Sequence, residues 1–150
     1  MNNGVVRKPR NVISREKFLD MLDAAMACEA YRFGRQAVLS WLAIYPGDLQ
    51  VTRLHAEMLA GDHKTEQAVT VLERLGGVDA EYLEAYETLA RITYQGNPAK
   101  FKHAVSMMKV LGAEVPAEYG LEYWAAELLA ARTCLANGDA DRAQELLNQA

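Results

Sequence analysis

Apolar residues recur along this chain every three or four positions, in stretches broken by Gly, Pro, Asn and Asp. That is the period of a helix face, and no segment alternates with period two for long enough to predict a strand. The strongest regularity is a set of small residues. Ala37, Ala68, Ala104 and Ala143 each have a large apolar residue four places on (Trp41, Leu72, Met108, Leu147). Seven places on lie Ile44, Leu75, Leu111 and Ala150. Upstream of each stands a second alanine, Ala25, Ala56, Ala90 and Ala131. Each unit therefore reads as two antiparallel helices touching where both carry alanine, because only a small side chain lets two backbones approach closely.

The punctuation agrees with that division. Pro46-Gly47-Asp48, Gly61-Asp62, Gly76-Gly77-Val78-Asp79, Gly96-Asn97-Pro98, Gly112 to Pro116 and Asn137-Gly138-Asp139 supply helix stops, N-caps and a proline for a first helical position. The pattern predicts eight helices, over 15–32, 34–45, 48–60, 63–75, 80–95, 98–111, 117–137 and 140–149. They group into units 15–46, 47–78, 79–115 and 116–150 of one helical domain spanning 14–150, behind a flexible basic leader over 1–13.

This arrangement resembles the tetratricopeptide repeat, which also carries a small residue in its first helix, an alanine in its second and a turn that closes a unit of about 34 residues. The stretch Ala130-Ala131-Arg132-Thr133-Cys134-Leu135-Ala136-Asn137-Gly138-Asp139-Ala140-Asp141-Arg142-Ala143 carries the likeness best, with Gly138-Asp139 and Ala143 at the family's Gly-Asp turn and alanine. The first-helix glycine of the family is alanine here in every unit. The resemblance implies an all-α, right-handed α-α superhelix (a solenoid) of about four helix-turn-helix repeats. It also implies that the first helix of each unit lines a concave groove for a peptide or helical segment of a protein partner. Carried onto this sequence, the groove positions include Leu22, Met26, Gln50, Arg53, Glu57, Glu87, Arg91, Tyr94 and Arg132. Arg53, Arg91 and Arg132 recur at successive units, and arginine holds carboxylates in a fork. The expected ligand is then a segment with acidic and apolar side chains, unless Glu57, Glu84 and Glu87 pair with these arginines internally. The family's version that grips terminal carboxylates needs Lys and Asn at set positions that are filled otherwise here.

Composition narrows the picture further. The chain is 51% apolar and 24% charged, which suits a folded water-facing domain. Its net charge is −4, while Arg7, Lys8, Arg10, Arg15 and Lys17 crowd residues 1–17 against Glu16 alone. The body is thus more acidic than the whole, which argues against a nucleic-acid surface. No apolar run is long enough for a membrane span, and the leader lacks the apolar core of a signal peptide. Cys28 and Cys134 match no metal or redox spacing and are expected to be small buried packing residues in a cytoplasmic protein.

No chemistry-bearing constellation emerges. His55, His63 and His103 fall in different units and phases, with no metal-ligand spacing. Acidic pairs such as Glu84/Glu87 are expected to be solvent-facing charge rather than acid–base machinery. Neither an enzyme nor a bound cofactor is expected. The leading expectation is a protein-binding scaffold; the alternative is an N-terminal regulatory or oligomerisation domain of a larger enzyme or signalling protein. A solenoid needs a polar cap at its end. Ala150 follows the last key alanine with none, so the C-terminal end is expected to be covered by further chain or by a second copy in a homodimer.

Overall fold

The computed structural model describes residues 13–119 and 122–149. Among them lie eight α-helices: α1 (Arg15–Ala27), α2 (Tyr31–Ile44), α3 (Leu49–Gly61), α4 (Thr65–Val78), α5 (Leu83–Thr93), α6 (Pro98–Val110), α7 (Glu122–Ala136) and α8 (Ala140–Gln149). No strand occurs among the described residues. The expected leader falls almost wholly on residues outside this range, as does Ala150.

Local chemistry explains where the helices begin. Ser14 accepts from the Lys17 amide, Asp48 from Val51, Asn97 from Lys100 and Asp139 from Arg142. Each oxygen satisfies an amide that the first turn leaves without a partner. Pro98 takes the first position of α6, where its missing N–H costs nothing.

The turns inside three of the four helical hairpins share one hydrogen-bond pattern. At the end of α3, Asp62 N–H donates to Met58 O, His63 N–H to Ala60 O, and Lys64 N–H to Leu59 O. The last of these is the long-range bond of a Schellman motif. The same trio closes α1 through Cys28, Glu29 and Ala30, and α7 through Asn137, Gly138 and Asp139. In all three the residue completing the motif is also the N-cap of the next helix. The αL position is filled by Glu29 (φ 57°), His63 (φ 60°) and Gly138 (φ 80°).

Every helix packs on the one that follows it, and α3 also meets α1 and α5. The apolar positions form three clusters. Phe18, Leu22, Val38, Val51, Leu54 and Met58 make the first, between α1, α2 and α3. The second and largest joins α3, α4, α5 and α6 around Leu72, Leu75, Leu89, Phe101 and Met108, each worth about 1.5–3 kcal/mol of burial. The third, between α7 and α8, is built of Ala130, Ala131, Cys134, Ala143 and Leu146.

The alanine pattern is realised with two corrections. Ala56 with Ala68, Ala90 with Ala104, and Ala131 with Ala143 are buried together. In the first hairpin, however, the close approach falls on Gly34, one turn before Ala37. A Cβ at Gly34 would stand 3.6 Å from the Ala25 Cβ and 2.7 Å from Met58 Sδ. Ile44, expected in the stripe, is accordingly 70% exposed, and in α8 Leu146 is buried while Leu147 faces out. Cys28 is also exposed, contrary to expectation, because α1 stops at Ala27 and Cys28 is its C-cap. Cys134 is buried as expected, and burial pushes its thiol pKa up. The helix expected from 117 begins instead as a single 3-10 turn (Ala117–Tyr119), with α7 proper starting at Glu122.

Candidate functional site

The face of α3 opposite the α2–α4 side carries Gln50, Arg53 and Glu57, at i, i+3 and i+7. The matching face of α5 carries Glu84, Glu87 and Arg91 at the same spacing. Because α3 and α5 touch, the two stripes lie side by side. The segment after α6 returns over them with Glu114, Pro116, Glu118 and Tyr119. All of these except Gln50 line an open cleft of about 530 Å³.

One carboxylate organises its centre. Glu57 Oε1 accepts from Arg53 Nη1 at 2.9 Å, within α3, and from Arg91 Nη2 at 2.7 Å, reaching across from α5. The Glu57 side chain is 13% exposed and that of Arg53 18%, so this half of the site is dry; Arg91, at 62%, is the wet end. Arg53 Nε is buried without an acceptor.

The returning segment is pinned by aromatic residues. Tyr94 donates its hydroxyl to Glu118 O at 2.8 Å. Its ring lies 5.3 Å from Phe101 and 5.0 Å from Tyr119, and the Phe101 and Tyr119 rings meet edge to face at 4.9 Å. Burial, reinforced by Glu118, raises the Tyr119 phenol pKa, which keeps it neutral as a wall of the cleft.

The structure thus brings together Arg53, Glu57, Glu87 and Arg91 of the expected groove, with Tyr94 holding its rim. Leu22 is corrected: it is completely buried in the first cluster and cannot face a partner. Met26 is half-buried against that cluster. Gln50 is exposed beside the cleft and accepts from Arg15 Nη2 at 2.9 Å. Arg132 is exposed on α7 and does not line the cleft.

The arginines are not a free carboxylate fork, because Glu57 already holds both of those in the cleft. Among the described residues five carboxylates (Glu57, Glu84, Glu87, Glu114, Glu118) face two guanidiniums, so this lining is acidic. Glu114, Pro116, Glu118 and Tyr119 were not legible as site residues. The signal was Pro116 close behind Gly112, which marks a segment leaving the helix without saying where it goes.

Among the described residues no three His, Cys, Asp or Glu side chains are grouped to hold a metal ion. No helix among them is long and apolar enough to cross a membrane. No protein-family model matches the chain, and no curated protein matches it.

Proposed function

We propose that this chain is a short right-handed solenoid of tetratricopeptide-like hairpins that serves as a protein-binding scaffold. Its cleft between α3, α5 and the α6–α7 segment takes an extended or helical segment rich in Lys and Arg. The observation that carries this reading is the carboxylate excess in a concave surface built by the first helices of adjacent hairpins. Glu57 ties those helices together, so the cleft is formed before a ligand arrives, which lowers the ordering cost of binding. A cationic segment would find Glu84, Glu87, Glu114 and Glu118 around an already neutralised centre. Salt screens such contacts and they steer encounter, so the affinity should fall steeply with ionic strength.

The test is direct titration of a labelled Lys/Arg-rich peptide and its Glu-substituted counterpart by fluorescence anisotropy. The basic peptide should bind, and Glu84→Lys with Glu87→Lys should weaken it about 5- to 30-fold, since two rim charges at about 0.5–1 kcal/mol each sum to about 1–2 kcal/mol. Preference for the acidic peptide would reverse the assignment. Capture from a cell lysate by the wild-type chain and by this variant would then show which natural proteins use the site.

A further inference from the structure

A second recess lies on the other side of α3, and its chemistry is the inverse of the cleft. His55 and Leu59 from α3 form its floor, Arg35 and Leu39 from α2 one wall, and Gln67, Val71 and Arg74 from α4 the other. Each helix contributes a single stripe, at i and i+4 or i, i+4 and i+7, so the recess is an outcome of helix packing rather than of loop placement. Its volume is about 400 Å³, within the range of small-molecule sites.

No carboxylate lines it. Arg35 Nη2 donates to Asp62 at 2.7 Å, but the neighbouring Nε is buried with no acceptor, so Asp62 engages only part of the guanidinium. Lys64 lies 3.9 Å from the same Asp62 oxygen and shares its charge. Arg74 and Gln67 make no hydrogen bond or ion pair among the described residues. Both are exposed, so water satisfies them; the buried Arg35 Nε is the donor left unpaired, and an anion held by Arg35 and Arg74 would supply its acceptor. Leu39, Leu59 and Val71 supply apolar wall beside the charge.

We propose that this recess binds a small amphipathic oxyanion, with its carboxylate or phosphate between Arg35 and Arg74 and its apolar body against Leu39, Leu59 and Val71. Nothing in the peptide-binding reading of the cleft is needed for it, and either site can fail alone.

His55 is a built-in reporter. Burial, and then the positive charge of Arg35, hold its imidazole below the usual pKa. The charged groups of the recess are Arg35 from α2, whose Nη2 is engaged by Asp62 at the end of α3, and Arg74 from α4; among the described residues neither α1 nor α5 lines the recess. An anion seated between the arginines offsets their field, so the His55 pKa must rise on binding.

The experiment is an NMR pH titration of the three histidines of the full chain, alone and with millimolar phenyl phosphate, benzoate or uncharged benzyl alcohol. Phenyl phosphate or benzoate should move the His55 resonances and raise its pKa while His63 and His103 stay put. Whichever binds tighter identifies the head group as phosphate or carboxylate. Arg74→Gln, on an exposed residue whose loss leaves the fold intact, should weaken the response about tenfold. A His55 indifferent to both anions, an equal response to benzyl alcohol, or unchanged affinity in Arg74→Gln would overturn the assignment.

Discussion

Asp48 shows how much one side chain carries in this molecule. It caps α3 through the Val51 amide at 3.2 Å and accepts Trp41 Nε1 at 3.0 Å. It also takes Arg15 in a two-pronged pair at 3.0 and 3.1 Å. One carboxylate thereby fastens the starts of α1 and α3 to Trp41 of α2, whose ring stacks on Phe18 of α1 and meets Tyr45 at the end of α2. Asp48→Ala should destabilise the chain by about 2–3 kcal/mol in chemical denaturation, combining a lost cap with donors left unpaired. Asp48→Asn, which still caps, should cost less. The Arg15 hydrogen bond, then those of Trp41 and Val51, hold the Asp48 pKa below its ordinary 3.8. The folded chain thus binds this proton less readily than the unfolded one. Its contribution is present above pH 3.8 and is lost as pH falls through the lower folded value. Asp48→Ala should therefore flatten the acid limb of the stability curve. The αL positions offer an independent check. His63 is exposed and pays for a conformation that glycine adopts freely, whereas Gly138 has open space around it. His63→Gly should stabilise by about 0.5–1 kcal/mol and Gly138→Ala destabilise by about 1 kcal/mol, read as shifts in denaturation midpoint.

At the scale of helices, the number and order of elements were legible because caps, breakers and the apolar period all agreed. Which residue makes the closest contact was less so. Ala37 and Ala68 stand in the same relation to bulky residues downstream. Yet the shared Schellman turns place the fourth residue after the N-cap at Gly34 in α2 and Ala68 in α4, so Ala37 sits one turn late. Counting alanines could not see this, whereas counting from the turns 28–30 and 62–64 would have. One groove position failed for a related reason. Leu22 was placed by its distance from Ala25, but that phase points into the core. Arg53 and Arg91 were placed correctly on their helices, and only the fold reveals that Glu57 holds both. The α2–α3 contact can be tested directly. Alanine is the better helix former by about 1 kcal/mol, but a Cβ at Gly34 would meet the Met58 thioether at 2.7 Å, and Met58 is completely buried. Gly34→Ala should destabilise by about 1–3 kcal/mol. Adding Met58→Val, which frees that space, should leave the double variant more stable than the sum of the two single costs predicts. Strict additivity in the cycle would mean the two residues do not touch.

Across the whole molecule the three clusters are unequal, and so should be the resistance to opening. Among the described residues, the middle cluster buries Leu, Phe, Tyr and Met side chains from four helices, while that of α7 and α8 has four small residues and Leu146, with Val110 beside it. Burial free energy scales with apolar area, so among the described residues the α7–α8 cluster contributes the least. Among the described residues that hairpin is tied to the rest by Arg142, whose Nη2 donates to Lys109 O at 2.9 Å at the end of α6. Chains assembled from successive hairpins open locally at their weakest unit rather than all at once. The cysteines make this measurable. Cys28 is exposed and should react with a thiol reagent immediately, whereas Cys134 is 3% exposed between α7 and α8 and must wait for the hairpin to part. In a Cys28→Ser background, the slowing of Cys134 labelling relative to the unfolded chain gives the opening free energy of that hairpin. It should fall several kcal/mol below the global value from denaturation, and Arg142→Gln should accelerate labelling while leaving exchange of the α3–α6 amides unchanged. Labelling of Cys134 only at the global unfolding rate would show instead that all eight helices open as one cooperative unit.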